Sequence, residues 1–220
     1  MNPADVTLKS ITSSLIQNDE QVDIVLLVDV SSSVTEENFN TTKSFLKALV
    51  QKLELGFEHA RLAMATFNTE SFINFGFTHD MDSIFKNIDA AEYTTGSTNI
   101  AKNLNHAYTT FFTMASNKRT RRRFSKRMIL IFTDGQDLEV KFTDISKVQK
   151  DVTVVPIGVG SKVNNDILDL LAVSVDNNGQ KLKNQTFSMT YGLIYRFIFY
   201  DLEKIYKFCK IFFMRIWITY

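Results

Sequence analysis

Apolar and polar positions fall into blocks of two kinds along this chain. Short, near-continuous runs of Val, Ile and Leu occupy 22–29, 128–132 and 152–159. Runs of that kind predict strands buried on both faces of a parallel sheet. Between them lie longer stretches with apolar residues three and four apart. Over 36–54, Phe39, Phe45, Leu46, Leu49, Val50 and Leu53 form one helical stripe. Glu36 and Glu37 fall in its first turn, where the helix dipole favours negative charge, and Gly56 is the expected stop. A second long helix is predicted over 99–114, with Ile100, Leu104, Ala107, Tyr108 and Phe111 on one face. Shorter helices are predicted over 82–90, 143–150 and 165–173. The segments 61–67 and 71–75 read as strands joined by Asn68-Thr69-Glu70, a hairpin that puts its second strand antiparallel at a sheet edge.

Strands alternating with helices imply βαβ units and right-handed crossovers. The fold class is therefore α/β: a doubly wound, mostly parallel sheet with one antiparallel edge strand and helices on both faces. The chain divides into a flexible lead-in (1–20), one domain (21–200) and an apolar, aromatic extension or end of the last helix (201–220). Asn177-Asn178-Gly179 is a turn signal. Beyond it the periodicity leaves two options open: a strand over 186–190 with a helix from 193, or a strand over 197–199 with a helix over 201–209.

Composition narrows the function. A net charge of +1 points to no nucleic-acid partner. The single cysteine, Cys209, allows no intrachain disulfide and no multi-cysteine zinc site. His59, His79 and His106 show no metal-ligand spacing. No uncharged apolar run reaches the roughly 20 residues of a membrane span, and Lys207, Lys210 and Arg215 interrupt the apolar tail. The start of the chain has no secretory pattern, which reads as either an intracellular protein or a piece of a longer secreted one. Seven of the ten residues in 118–127 are basic, and without them the remaining chain is acidic. That run reads first as a solvated connection, and otherwise as a patch for an anionic polysaccharide or a nuclear localisation signal. Asn40 and Asn184 head glycosylation sequons.

The chemistry lies where the apolar runs end. The first closes in Asp29-Val30-Ser31-Ser32-Ser33, and the middle one in Thr133-Asp134-Gly135. Thr98 sits in the polar loop before the second long helix. In a doubly wound sheet all three lie at the carboxyl edge, where such folds place their ligands. Every donor is an oxygen, which suits a hard divalent cation, magnesium first. Taken singly, each piece is an ordinary helix cap or turn; the combination carries the signal.

These residues resemble a known family. Asp29-Val30-Ser31-Ser32-Ser33, Gly96-Ser97-Thr98-Asn99 and Ile131-Phe132-Thr133-Asp134-Gly135 are similar to the three parts of the metal-ion-dependent adhesion site of the von Willebrand factor A domain, also called the integrin inserted domain. The likeness runs over about 22–172, with 61–67, 156–160 and 167–172 similar to its later strands and helix. The resemblance implies Mg2+ or Mn2+ at the top of the sheet. Ser31, Ser33 and Thr98 would be direct or switchable ligands, and Asp29 and Asp134 would ligate directly or through water. An open position would receive an Asp or Glu carboxylate from a partner, a matrix or cell-surface protein. It implies a non-enzymatic adhesion or protein-binding module, extracellular or on the cell surface as part of a longer chain. Gly96-Ser97 stands where the family often has two glycines, and Ile100-Ala101 where it often has Thr-Gly; neither change removes a ligand.

Two other readings compete. An intracellular, cytoplasmic scaffold would keep the fold with a structural or vestigial ion. A magnesium-dependent phosphotransferase would need a second carboxylate or a base beside Asp29, whereas hydroxyls follow it and no Gly-x-x-x-x-Gly-Lys loop is present.

Overall fold

β1 (Val22–Asp29) is buried along all but its first residue, as a continuous apolar run requires. Its two neighbours are both parallel to it: β2 (Ala60–Phe67) and β4 (Lys126–Thr133). The sheet continues past β4 through β5 (Thr153–Val159) to β8 (Phe187–Met189), both parallel. On the other side it ends in β3 (Ser71–Thr78), antiparallel to β2. The expected hairpin and antiparallel edge are therefore present. A computed structural model describes residues 21–113, 122, 125–175, 181–183 and 187–189. The lead-in 1–20, the extension 201–220 with Cys209, the sequon at Asn184 and any helix beyond 190 lie outside the described residues.

Alternation along β1 builds two cores. Ile24, Leu26 and Val28 pack with Phe39, Phe45, Leu46 and Leu49 of α1 (Glu36–Val50) and Ile84 and Ile88 of α2 (Met81–Ala90). Val25 and Leu27 pack on the opposite face, with Ile100 and Leu104 of α3 (Ile100–Ala107), Ile145 and Val148 of α4 (Phe142–Asp151), and Leu168 and Leu171 of α5 (Asn165–Leu171). The strand order β3-β2-β1-β4-β5-β8 reverses direction between β1 and β4. The loops leaving these two strands therefore diverge and open a crevice between them.

Four expectations change. The helix from 36 stops at Val50, not 54, because Gln51, Lys52 and Leu53 tighten into turns and Leu55 bridges to Ala60. Gly56 is thus part of the approach to β2 rather than a helix cap. The helix from 99 passes at Tyr108–Thr113 into a wider π-helical turn. The extra residue lets Phe111 and Phe112 both stack on Phe77, at 5.9 and 5.7 Å between ring centres. The helix expected to reach 173 ends at Leu171; β-branched Val173 instead opens β6 (Val173–Val175), antiparallel to β7 (Lys181–Lys183) across the Asn177-Asn178-Gly179 signal. Of the two C-terminal options, the strand at 186–190 is present as β8, and residues 197–209 of the other lie outside the described residues.

The fourth change concerns the basic run. Arg122 is not solvated: it is 7% exposed and donates to the backbone carbonyls of Gly56 and His59, at 2.7 and 2.5 Å. It lies 3.9 Å from Asp23, which Arg61 grips with two hydrogen bonds of 2.9 Å. This cluster sits at the amino-terminal end of β1, opposite the crevice.

Candidate functional site

Asp29 ends β1 with its side chain buried between the two central strands. One carboxylate oxygen accepts the Ser31 amide at 2.9 Å; the other accepts the Thr133 hydroxyl of β4 at 2.6 Å. The Thr133 hydroxyl in turn accepts the Gly135 amide at 3.1 Å. Asp29 thus fixes both loops that leave the switch point. In the first loop Val30, Ser31 and Val34 are buried, Ser32 and Ser33 are exposed, and the Ser31 and Ser33 hydroxyls stand 3.2 Å apart.

Asp134 is also buried, its carboxylate accepting the Gln136 amide at 3.1 Å and the Ser33 hydroxyl. Gly135 adopts φ 72°, and a Cβ there would lie 3.0 Å from the Asn164 carbonyl, which explains the glycine of Thr133-Asp134-Gly135. The loop bearing Thr98 is tied to the first by two bonds of 3.0 Å, Ser32 N–H to the Gly96 carbonyl and Gly96 N–H to the Ser32 hydroxyl. Tyr93 adds a third tie, its hydroxyl donating to the Ser31 carbonyl at 3.2 Å. The structure therefore brings Asp29, Ser31, Ser33 and Asp134 directly together. Half-buried Thr98 reaches the same edge through the Ser32–Gly96 pair.

Electrostatics at this edge is unbalanced. Burial is the main cause pushing the Asp29 carboxyl up to about 6, and the Asp134 charge adds to it; bonds from Ser31 and Thr133 oppose the rise. Burial likewise raises Asp134, against the Ser33 and Gln136 hydrogen bonds. Among the described residues no Lys, Arg or His forms an ion pair with either carboxylate. Nor, among the described residues, does any group of three His, Cys, Asp or Glu make a metal cluster of its own. Here two carboxylates are complemented by hydroxyls, and that all-oxygen donor set suits a hard dication.

Two β-branched residues beside the site hold positive φ: Thr35 at 68° and Thr95 at 56°. With ψ at 151°, Thr35 sits in a region that glycine alone enters easily, a strain of roughly 1–3 kcal/mol. Its capping bond to the Asn38 amide is long, at 3.4 Å. Thr35→Gly gives up that weak cap for a few tenths of a kcal/mol. We expect it to stabilise the metal-free protein by about 1 kcal/mol; a lower urea midpoint would refute the strain.

Pattern reading passed over several residues that shape this edge. Thr133 was visible only as part of its tripeptide. The Asp137 carboxylate caps its own turn, accepting Glu139 N–H at 3.2 Å, and also accepts Ile100 N–H at 2.7 Å at the start of α3. Ser32, Tyr93 and Asn68 carried no signal beyond loop composition.

The von Willebrand factor type A domain model matches residues 23–190. Matrilin-2 of Mus musculus is 24% identical over 161 residues, covering 71% of this chain and 17% of that protein. The collagen alpha-1(VI) chain of Gallus gallus is 26% identical over 167 residues, covering 71% and 16%. The chain spans only a small part of the length of these relatives. The manganese-loaded Plasmodium vivax TRAP protein superimposes with a TM-score of 0.60 at 21% identity, over 78% of this chain and 68% of that one. Proximal thread matrix protein 1 from the mussel byssus, with a zinc-occupied MIDAS motif, gives 0.62 at 21% identity, over 81% and 45%. With residues 23–190, most of its length, matched by that model, the chain belongs to the von Willebrand factor type A domain family.

Proposed function

We propose that the chain is a non-enzymatic protein-binding module that holds Mg2+ or Mn2+ with Asp29, Ser31, Ser33, Thr98 and Asp134. A partner's Asp or Glu carboxylate completes the site. The observation that carries this reading is the convergence of two buried carboxylates and two hydroxyls at the switch point with, among the described residues, no cationic side chain paired to them. When bound, the cation supplies a Lewis-acidic position for an anionic oxygen. Asp29 and Asp134 offset the charge of a dication but, with three hydroxyls, fill only part of an octahedral oxygen shell, so a hard carboxylate oxygen from a partner completes the coordination. Thr133 and the Ser31 amide hold the Asp29 carboxylate in place; Ser33 and Gln136 do the same for Asp134. Matrilin-2 and collagen VI among the relatives support placement outside the cell in a longer chain. The metal-loaded neighbours support a divalent cation.

The test is a calorimetric Mn2+ and Mg2+ titration, followed by capture of acidic peptides with and without EDTA. No heat with either cation, together with EDTA-insensitive capture, would remove the reading.

Proton competition gives a second expectation. The cation must displace the proton that Asp29 holds up to about pH 6, so apparent affinity falls about tenfold per pH unit below that value and levels off above it. The stability sign follows from the same shift. The folded, metal-free protein prefers the protonated acid, with its pKa raised from 3.8 to about 6. Its stability is therefore lost as pH climbs through that window, by about 3 kcal/mol for this group. Titrations between about pH 5 and 7.5 check this; a flat affinity would take Asp29 out of the site.

A further inference from the structure

We infer that Asn68 is a positioning residue that sets Thr98 for the cation, an inference that rests on the metal site proposed above. Asn68 follows β2, is 9% exposed, and uses each of its polar groups. Its side-chain carbonyl accepts Glu70 N–H at 2.9 Å, the local turn expected of Asn68-Thr69-Glu70. Its side-chain amide leaves that turn altogether. It donates to the Thr94 hydroxyl at 3.1 Å and the Thr95 carbonyl at 2.5 Å, which lie before Thr98. Its backbone carbonyl accepts the Asn99 amide at 3.2 Å, directly after Thr98. The same carbonyl accepts the fully buried Asn103 side chain at 2.8 Å, which ties the clamp to α3.

Thr98 is thus held from both flanks by one residue just past the end of β2, while among the described residues its own side chain is not used in these bonds. Thr95, gripped by Asn68, carries one of the two strained backbone angles, and a Cβ on neighbouring Gly96 would stand 3.3 Å from the Asn68 amide nitrogen. A strained loop keeps such a shape only where its surroundings over-determine it. Removing the amide donors lets residues 94–97 relax and moves the Thr98 hydroxyl, while Asp29, Ser31, Ser33 and Asp134 keep their partners.

The test compares Mn2+ affinity with metal-free thermal stability in wild type, Asn68→Ala, Asp134→Ala and Leu49→Ala, a core change remote from the edge. Outer residues that orient metal ligands typically contribute 10- to 100-fold in affinity, so Asn68→Ala is expected to weaken Mn2+ at least about tenfold. Leu49→Ala, although less stable, should bind as wild type does. If Asn68→Ala does not fold, Asn68→Asp keeps the acceptor for Glu70, removes both donors and serves the same comparison. Wild-type affinity in the Asn68 variant, or equal weakening in Leu49→Ala, overturns the inference while wild type binds and Asp134→Ala does not. Absence of Mn2+ binding in wild type itself would instead bring down the underlying site.

Discussion

Asp134→Ala is expected to weaken Mn2+ binding by at least about 100-fold, beyond what loss of an outer, orienting residue does, and to leave the fold standing. The reason is an imbalance that the metal-free protein carries. Burial raises the pKa of both site carboxylates, and the Asp134 charge adds to the rise at Asp29. Deleting Asp134 removes that repulsion and gives up one 3.1 Å bond from the Gln136 amide and the contact with Ser33. Metal-free stability should therefore change by no more than about 1 kcal/mol, the size of an ordinary hydrogen bond. The titration of Asp29 should move back towards the usual carboxylate range. Asp29→Ala is the poorer probe, since it strands the buried Thr133 hydroxyl and the Ser31 amide, each costing about 1–3 kcal/mol. Calorimetric titration paired with thermal melts in EDTA separates the two effects. Near-native Mn2+ affinity in Asp134→Ala would exclude this edge as the cation site.

The edge was legible in the sequence because a parallel strand buried on both faces is written as one unbroken apolar run. Where Val22–Asp29 and Lys126–Thr133 stop, their last polar residues must meet at the carboxyl edge. Asp29 and Asp134 could be paired across about a hundred residues for that reason. Asn68 shows where such reading ends. Its Asx turn to Glu70 is local and follows from residue type, whereas the reach of its amide to Thr94 and Thr95 depends on where β2 and the loop before α3 sit in the fold. The π-helical turn escaped for a similar reason: a period of three to four accounts for Phe111, and only the position of Phe77 explains why Phe112 must be buried too. At Arg122, charge density argued for solvent. The counter-signal was Asp23, a carboxylate one residue into a strand otherwise predicted to be buried on both faces.

Asp23→Ala is expected to cost about 3–5 kcal/mol, the usual penalty for removing one partner of a buried ion pair, with no effect on cation binding. Asp23 is 3% exposed and accepts both Arg61 bonds as well as the Ser125 hydroxyl at 2.8 Å. Arg122 lies 3.9 Å away, and burial, then the Arg61 charge, push its pKa down, with Asp23 and Glu58 opposing. Without Asp23 two buried guanidinium groups face each other. Their stacking on Phe77 and Phe57, at 5.2 and 5.7 Å, does not replace a lost counter-charge. Asp23 stands six residues before Asp29, about 20 Å along the extended strand, so the cluster and the crevice separate cleanly. Urea unfolding of Asp23→Ala, Arg61→Ala and the double variant measures the coupling. The single losses should exceed their share of the double loss, because the second substitution removes a charge that the first left stranded. Additive losses, or a loss below about 1 kcal/mol for Asp23→Ala, would mean that water enters this end of the sheet and solvates the arginines, and that β1 is anchored by its apolar residues alone.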